Sequence, residues 1–275
     1  SSKVIVQGFV LQHSGYSSMN DLAAIRLKNV AHVAIRNNRL INNFFGIYCQ
    51  HADSSVISNN QISSNGESEL GSGNGIHAWK SDHLVIANNQ VTGHRDGIYF
   101  EFVTNSVIDN NTSSKNIRYG LHFMFSHSDT YTKNIFNNNG AGVAVMYSHH
   151  VVMVDNEFRE NWGSASYGIL MKDITDSRTE ENLFYRNTAA VHLEGSNRIA
   201  IRHNRFQQNG YAIILQASCD NNHINDNNFM GNSFDLATNG SLVLNYFAGN
   251  YWDKYEGYDL NRNGEGDIPY RPLSI

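Results

Sequence analysis

One histidine and two methionines recur in a pattern that suits a soft metal ion. His122 and Met124 lie two residues apart in an apolar stretch, and Met146 takes the place of Met124 in a similar stretch that follows. Thioether sulfur favours Cu(I), and imidazole binds copper in either oxidation state. The pattern predicts a Cu(I) site at His122, Met124 and Met146. The alternative, that these methionines only fill a groove beneath a loop, stays open.

More imidazoles occupy matching positions nearby. His127 and His149 hold equivalent places in the same two stretches, and His150 follows directly. His77 occupies the same position in an earlier stretch as His122 occupies in its own stretch. We predict His127, His149 and His77 as alternative copper ligands.

All of these residues belong to a repeat. Glycine or alanine followed by alternating apolar residues recurs at steps of 29, 22, 23, 22, 26, 22 and 22 residues. The anchors are Gly46, Gly75, Gly97, Gly120, Gly142, Gly168, Ala190 and Ala212. An asparagine precedes each anchor, at Asn38, Asn60, Asn89, Asn111, Asn134, Asn156, Asn182 and Asn204. The two longer steps predict loops between Ser63 and Asn74 and between Arg159 and Tyr167.

A unit of about 22 residues cannot bury a core alone, so successive units must stack. The sequence therefore predicts an all-β fold, a right-handed single-stranded parallel β-helix with stacked asparagines hydrogen-bonded as a ladder. Side chains alternate along a strand, so the first and third residues after each anchor face the core, Cys49 among them. The second and fourth face outward, which stacks Met146 on Met124 at about 4.8 Å. Cys49 and Cys219 fall too many coils apart to form a disulfide.

The outward face also suits an acidic sugar chain. Tyr99 shares a file with His77 and His122, with Glu101 beside it, and tyrosine and histidine can act as base and acid. Hydrolysis needs two carboxyl groups about 5 to 9.5 Å apart, whereas Glu101 and Glu194 lie four coils, roughly 19 Å, apart. A polyuronate lyase or epimerase, carbohydrate binding alone, and a protein-docking module in which Tyr99 and Glu101 contact a partner therefore stay open.

The chain departs from the repeat near its C-terminus. We predict a β-helix over residues 1–249 and a capping segment over residues 250–275. Trp252 and Tyr255 are expected to seal the last coil and to contact a partner.

A calcium-type loop falls within that capping segment. Asp259, Asn261 and Asn263 alternate as the oxygen ligands of a calcium loop do, with Gly264 for the sharp turn. Tyr270 stands where a bidentate glutamate belongs, so Asp267 would have to substitute for it. A calcium site and an ion-free asparagine-rich turn are both compatible with this pattern.

Composition excludes two classes of function. A formal net charge of −5 with scattered basic residues gives no footprint for nucleic acid. No run of eighteen apolar residues exists, so direct membrane insertion is not expected. The chain opens on strand-like residues, Ser1 to Val6, and an export signal is expected to be missing.

Several segments together resemble the NosD family, periplasmic accessory proteins that help to assemble the copper sites of nitrous oxide reductase in denitrification. Nearly the whole chain takes part in this resemblance, although one or more initial coils are expected to be absent. It is carried by residues 97–104 (GIYFEFVT), 118–126 (RYGLHFMFS), 140–148 (GAGVAVMYS), 161–168 (NWGSASYG) and the tail from Asn250 to Pro269.

The resemblance implies a periplasmic, non-enzymatic protein that carries Cu(I) as cargo. Its implied partners are a copper metallochaperone, an ABC transporter made of an ATPase and a membrane permease, and apo nitrous oxide reductase. His122, Met124 and Met146 lie within the most family-like segments.

Overall fold

The computed structural model describes residues 4–17, 19–216, 218–239 and 245–274, and the regular structure in these residues is β throughout. Its strands are parallel and build three sheets of eleven strands each, which the chain visits in rotation. The predicted right-handed parallel β-helix is confirmed. Ser1 to Lys3 of the predicted opening strand lie outside the described residues.

The first two sheets consist mainly of three-residue strands. Sheet 1 contains Ile5–Gln7, Ala34–Arg36, Val56–Ser58, Val85–Ala87, Val107–Asp109, Thr130–Thr132, Val152–Val154, Thr175–Glu180, Asn197–Arg202, His223–Asn225 and Tyr246–Ala248. Sheet 2 contains Val10–Gln12, Arg39–Ile41, Gln61–Ser63, Gln90–Thr92, Thr112–Ser114, Ile135–Asn137, Glu157–Arg159, Leu183–Tyr185, Arg205–Gln207, Asn228–Met230 and Tyr251–Trp252.

Sheet 3 has longer strands and carries the predicted copper ligands. It contains Ala23–Ala31, Phe45–Asp53, Ile76–Trp79, Ile98–Glu101, Tyr119–Met124, Ala141–Met146, Tyr167–Lys172, Ala189–Glu194, Tyr211–Leu215, Phe234–Thr238 and Leu273–Ser274. Both predicted loops connect sheet 2 to sheet 3. Among the described residues, no helix is both long enough and apolar enough to cross a membrane.

The core runs along the axis between the three sheets. Residues predicted to face inward on sheet 3, such as Ile98 and Phe100, are fully buried. Cys49 and Cys219 are both buried and free. Core aromatics stack from coil to coil with centroids 4.1 to 5.4 Å apart, in the order Phe136, Phe158, Phe184, Phe206, Phe229 and Trp252.

The predicted asparagine ladder is present and continues for two coils beyond the predicted positions. It consists of Asn38, Asn60, Asn89, Asn111, Asn134, Asn156, Asn182, Asn204, Asn227 and Asn250. Each backbone N–H and each side-chain amide donates to the Oδ1 of the next asparagine, as Asn204 does to Asn227 at 2.9 and 3.0 Å. The buried amides thereby satisfy one another, and the coils are held in register.

A second ladder went unrecognised in the sequence. It begins where sheet 2 turns into sheet 3 and runs through Asn116, Asn139, Asn161, Asn187, Asn209 and Asn232. These asparagines also recur at about 22 residues, so the signal was present in the spacing.

The anchor glycines allow close stacking where sheet 3 begins. A Cβ atom at Gly142 would overlap the carbonyl oxygen of Gly168 in the next coil, so a larger side chain would force the coils apart.

The C-terminal segment crosses the end of the last coil. Trp252 continues the core stack on Phe229, and Leu273–Ser274 adds the final strand to sheet 3. Lys254 Nζ donates to the carbonyl oxygen of Asn232 at 2.6 Å, which ties this segment to the coil beneath it. The division into residues 1–249 and 250–275 stays a prediction.

Replacing Asn227 with alanine should lower the free energy of unfolding by about 2–4 kcal/mol. The change leaves buried donors and acceptors of neighbouring coils unpaired, each at a cost of about 1–3 kcal/mol. Denaturant unfolding followed by circular dichroism measures the change. Asn228→Ala is the matched control, because Asn228 is exposed and its loss should cost less than about 0.5 kcal/mol. Equal losses in the two variants would contradict the role of the ladder.

Candidate copper-binding face

The predicted copper ligands His122, Met124 and Met146 lie on two successive strands of sheet 3. Met124 pairs in register with Met146, and Glu101 pairs with Met124 on the opposite side. Strands of one sheet lie about 4.8 Å apart, so the two thioether side chains leave the sheet as neighbours. The predicted stacking of Met146 on Met124 is confirmed, and both residues are partly exposed.

The file containing the methionines is bounded at both ends by polar residues. Glu101 precedes Met124, and Lys172 follows Met146 in register. Lys172 Nζ donates to Glu194 Oε1 at 2.8 Å, so its positive charge is paired on the side away from the methionines. The same register confirms that Glu101 and Glu194 are four coils apart.

His122 faces outward but is buried. It is only 3% exposed, because the rings of Tyr99 and Tyr119 cover it at centroid distances of 4.9 and 4.8 Å. The sequence predicted that His122 faces outward, and these two tyrosines cover it on that face. Neither ring nitrogen of His122 has a hydrogen-bond partner within the protein. Buried polar atoms without a partner are uncommon, and each calls for an explanation such as an ordered water, a bound ion or a chemical role.

Asp96 lies next to His122 and was missed in the sequence. Its side chain is 1% exposed, and its Oδ2 lies 3.5 Å from His122 Nδ1. Its Oδ1 accepts the Tyr119 backbone N–H at 3.3 Å and lies 3.7 Å from Arg118 Nε. Asp96 occupies the turn before its strand, outside the alternating pattern that identified the face, so the repeat gave no signal for it.

Tyr99 connects the imidazole with the first thioether. Its hydroxyl donates to the sulfur of Met124 at 3.5 Å while its ring contacts His122. Burial and the nearby charge of Glu101 raise the pKa of Tyr99 to about 12. The phenol is therefore protonated at neutral pH and acts as a donor.

His77 continues this file of rings, 4.7 Å from Tyr99. The side-chain amide of Asn74 meets His77 Nδ1 at 3.0 Å. Burial, together with the charge of Arg95, lowers the pKa of His77 to about 3, so this imidazole is neutral at physiological pH. The predicted vertical file of His77, Tyr99 and His122 is confirmed by the strand register.

An exposed aromatic platform borders the methionines. Phe102, Phe125 and Tyr147 directly follow Glu101, Met124 and Met146, and they stack at 5.3 and 5.0 Å with nearly parallel planes. The three residues have φ between 48 and 54°, a left-handed conformation that bulky side chains rarely adopt. The equivalent turn position in flanking coils holds Lys80 and Asp173 instead. The platform thus covers the two coils that bear the methionines and the coil of Glu101 before them.

A histidine cluster lies beyond that turn. The rings of His127 and His149 stack with centroids 3.8 Å apart, which confirms that they are equivalent. Nδ1 of His149 lies 2.7 Å from Nδ1 of His150. Ser126 and Ser148, which point inward, separate this cluster from Met124 and Met146 along the chain.

The remaining predicted site residues lie at the C-terminal end. Tyr255 and Trp252 line a cavity of about 870 Å³ between the last coil and the C-terminal segment.

The side-chain oxygens of the calcium-type loop accept hydrogen bonds from its own backbone, and Asp259 accepts from Asn263 and Gly264. Asp267 likewise accepts the backbone N–H of Leu260 at 2.7 Å. The calcium site stays a prediction.

Histidine, cysteine, aspartate and glutamate do not converge in groups of three as a metal cluster within the part of the chain that the structure describes.

The fold defines the class, a right-handed parallel β-helix. It is similar to a DFA-IIIase of Arthrobacter chlorophenolicus in complex with GF2, with a TM-score of 0.67 and 13% identity over 82% of this chain and 66% of the other. A mannuronan C-5 epimerase module from Azotobacter vinelandii gives a TM-score of 0.58 at 12% identity, covering 91% and 86% of the two chains. At these identities the likeness shows the fold alone.

The chain belongs to the NosD family. Residues 65–257 match the family described as "Periplasmic copper-binding protein (NosD)", and residues 13–91 match a right-handed β-helix region.

Two curated relatives are each named "Probable ABC transporter binding protein NosD". The protein from Stutzerimonas stutzeri is 29% identical over 47% of this chain and 33% of its own length. The protein from Pseudomonas aeruginosa is 30% identical over 39% and 29%. The matched part of this chain thus spans about a third of these relatives.

Proposed function

We propose that this chain is a non-enzymatic, periplasmic scaffold that receives Cu(I) at His122, Met124 and Met146. The buried imidazole of His122, with both nitrogens unpaired beside two thioethers in register, is the observation that carries this proposal. One neutral nitrogen and two sulfurs form a soft, uncharged donor set, which suits a singly charged copper ion better than zinc or magnesium. The description of the family as copper-binding supports the same cargo.

Asp96 gives His122 a defined orientation in this proposal. A metal-bound imidazole commonly donates its second N–H to a carboxylate, which fixes the tautomer and makes the other nitrogen a better ligand. Asp96 faces Nδ1, so Nε2 is the nitrogen left for copper. Tyr99, hydrogen-bonded to Met124, would hold that sulfur near the imidazole until copper binds.

The route of the copper follows from the exposure of the donors. His122 is buried and the methionines are partly exposed, so copper would reach the sulfurs first and the imidazole second. Delivery by ligand exchange requires a donor protein to dock against the methionines. The aromatic platform borders them, and exposed aromatic rings are favoured at protein interfaces.

The remaining partners are proposed from the family. The curated relatives are named for binding an ABC transporter, so we assign this chain the same association with an ATPase and membrane permease. A metallochaperone would supply the copper, and apo nitrous oxide reductase would receive it. We propose that the transporter docks at the C-terminal end, at the cavity lined by Trp252 and Tyr255.

Polyuronate binding or lysis is the second candidate, supported by Tyr99, His122 and Asp96 lying together on the outward face. A tyrosine base needs a phenol that can lose its proton, and the pKa of Tyr99 is raised to about 12. This favours the copper scaffold. Incubation with polymannuronate and polyguluronate, followed by ultraviolet detection of unsaturated ends and NMR of the uronates, tests the alternative.

Replacing Met124 and Met146 together with alanine should weaken Cu(I) binding by roughly 100-fold or more, since two of three donors are lost. Anaerobic titration against a chromophoric Cu(I) chelator measures this change. The control is Met19→Ala with Met230→Ala, which removes two methionines outside sheet 3. Unchanged affinity in the Met124 and Met146 variant would place the site elsewhere.

Asp96→Asn should weaken Cu(I) binding by about 10–100-fold while leaving both methionine donors in place. A side-chain amide that donates to Nδ1 of His122 would leave the remaining proton on Nε2, where copper must bind. X-ray absorption should then show sulfur ligation with the imidazole signal lost. Asp109→Asn, in sheet 1 of the same coil, is the control and should bind copper as the wild type does. Retention of the imidazole signal in Asp96→Asn would remove Asp96 from the site.

Replacing Phe102, Phe125 and Tyr147 with asparagine should slow copper transfer from a Cu(I)-loaded metallochaperone by about tenfold or more, because docking loses its aromatic contacts. Asparagine tolerates the left-handed conformation, so the turns should be preserved. Equilibrium Cu(I) affinity should not change. Stopped-flow transfer measurements test this, with Lys80→Asn as the control at the same turn position. Unchanged transfer would show that the donor docks elsewhere.

A further inference from the structure

The histidine cluster beyond the methionine file has its own geometry. Nδ1 of His149 and Nδ1 of His150 are 2.7 Å apart, and both residues are exposed. A lone pair of one imidazole therefore accepts the N–H of the other. The two nitrogens are thus close enough to become ligands of one ion once the shared proton leaves and the rings turn toward the ion.

The short separation of the two nitrogens, set here by their hydrogen bond, shows which ligand spacing the pair can reach. With bonds of about 2.0 Å to nitrogen, two ligands at a right angle are about 2.8 Å apart. A tetrahedral ion would need about 3.3 Å, and a linear Cu(I) ion about 4 Å. The observed 2.7 Å fits adjacent ligands of a tetragonal ion. Cu(II) and Ni(II) prefer that geometry, and Cu(II) binds more tightly to nitrogen ligands.

The backbone and a neighbouring ring hold the pair in place. His149 N–H donates to Nδ1 of His127 at 3.2 Å, and Ser128 N–H donates to the His149 carbonyl at 3.1 Å. His150 N–H donates to the Thr175 carbonyl at 3.3 Å. The ring of His127 lies flat against that of His149 at 3.8 Å, which restricts rotation of the His149 ring. The backbone of both residues and the ring of His149 are thus positioned before an ion arrives.

The charges around the pair contribute little to metal binding, so the affinity for a metal ion would come from the two imidazoles. Asp176 is close enough to His150 to respond to its charge, but Arg198 dominates there and holds the pKa of Asp176 well below its usual range. Arg198 Nε and Nη2 donate to the two carboxylate oxygens at 2.6 and 2.8 Å. That carboxylate is already neutralised by its ion pair.

We propose that His149 and His150 form a second metal site, a surface chelate for Cu(II) that binds through the two Nδ1 atoms. The ion displaces the proton shared between the imidazoles, and solvent fills the remaining positions. This site is separate from the soft donor set of sheet 3 and selects the other oxidation state of copper. It does not depend on Cu(I) binding at the methionines.

Glycine-buffered Cu(II) is the probe, applied to the chain without an affinity tag. Electron paramagnetic resonance of the wild type should show one tetragonal Cu(II) with nitrogen couplings from two imidazoles. His149→Ala with His150→Ala should weaken Cu(II) binding at least tenfold in competition with glycine. His149→Gln with His150→Gln should weaken it similarly while keeping polar side chains at the turn, and circular dichroism checks that both variants fold.

Two controls separate this site from others. His203→Ala with His223→Ala removes two exposed imidazoles elsewhere and should leave Cu(II) binding unchanged. Met124→Ala with Met146→Ala should also retain Cu(II) binding whether or not it loses Cu(I), so the two metal sites can fail independently. The proposal is overturned if the wild type binds no Cu(II) or if the His149 and His150 variants bind it as tightly as the wild type.

Discussion

Hydrogen bonding between asparagines at equivalent positions of successive coils is the constraint on which the rest of this structure depends. The ladder amides are buried along almost the whole solenoid, and each is paired with the asparagine of the next coil and with a backbone carbonyl of the preceding one, as Asn60 is with Asn89 and Ile35. A shift of one residue would leave these polar atoms unpaired and would turn apolar side chains outward. The ladder therefore fixes the register, and the register decides which side chains stack. Met124 and Met146 are neighbours because Asn111, Asn134 and Asn156 hold the coils that carry them in register.

Because the backbone repeats so regularly, the residues on its outer face determine what the protein does. Solved β-helices of similar shape include proteins that act on sugars, and this chain shares little sequence with them. On sheet 3 the file Glu101, Met124, Met146 and Lys172 changes from acidic to apolar to basic within four coils. The aromatic residues at the turns are limited to the same coils. The backbone thus repeats from coil to coil, whereas the side chains of the proposed site are specific to a few neighbouring coils.

The two proposed copper sites differ in chemistry although they lie on the same coils. Sheet 3 offers two partly exposed thioether sulfurs and an imidazole that Tyr99 and Tyr119 shield from water. The turn beyond it offers two exposed imidazoles at a right-angle spacing. Because only a short turn separates the two proposed sites, one protein could bind Cu(I) and Cu(II) at neighbouring positions. Burial distinguishes these sites as much as ligand type does.

The sequence by itself determined the fold, the core column and the pairing of Met124 with Met146, because a period of about 22 residues and the alternation of side chains are properties of the chain. It also placed His77, Tyr99 and His122 in one file. Only the tertiary structure decided that His122 is buried, that Asp96 faces its Nδ1 and that His149 meets His150. Those features depend on rotamers and on side chains from turns, which the strand periodicity does not constrain. The second asparagine ladder is the exception, since its spacing was visible in the sequence and passed unrecognised.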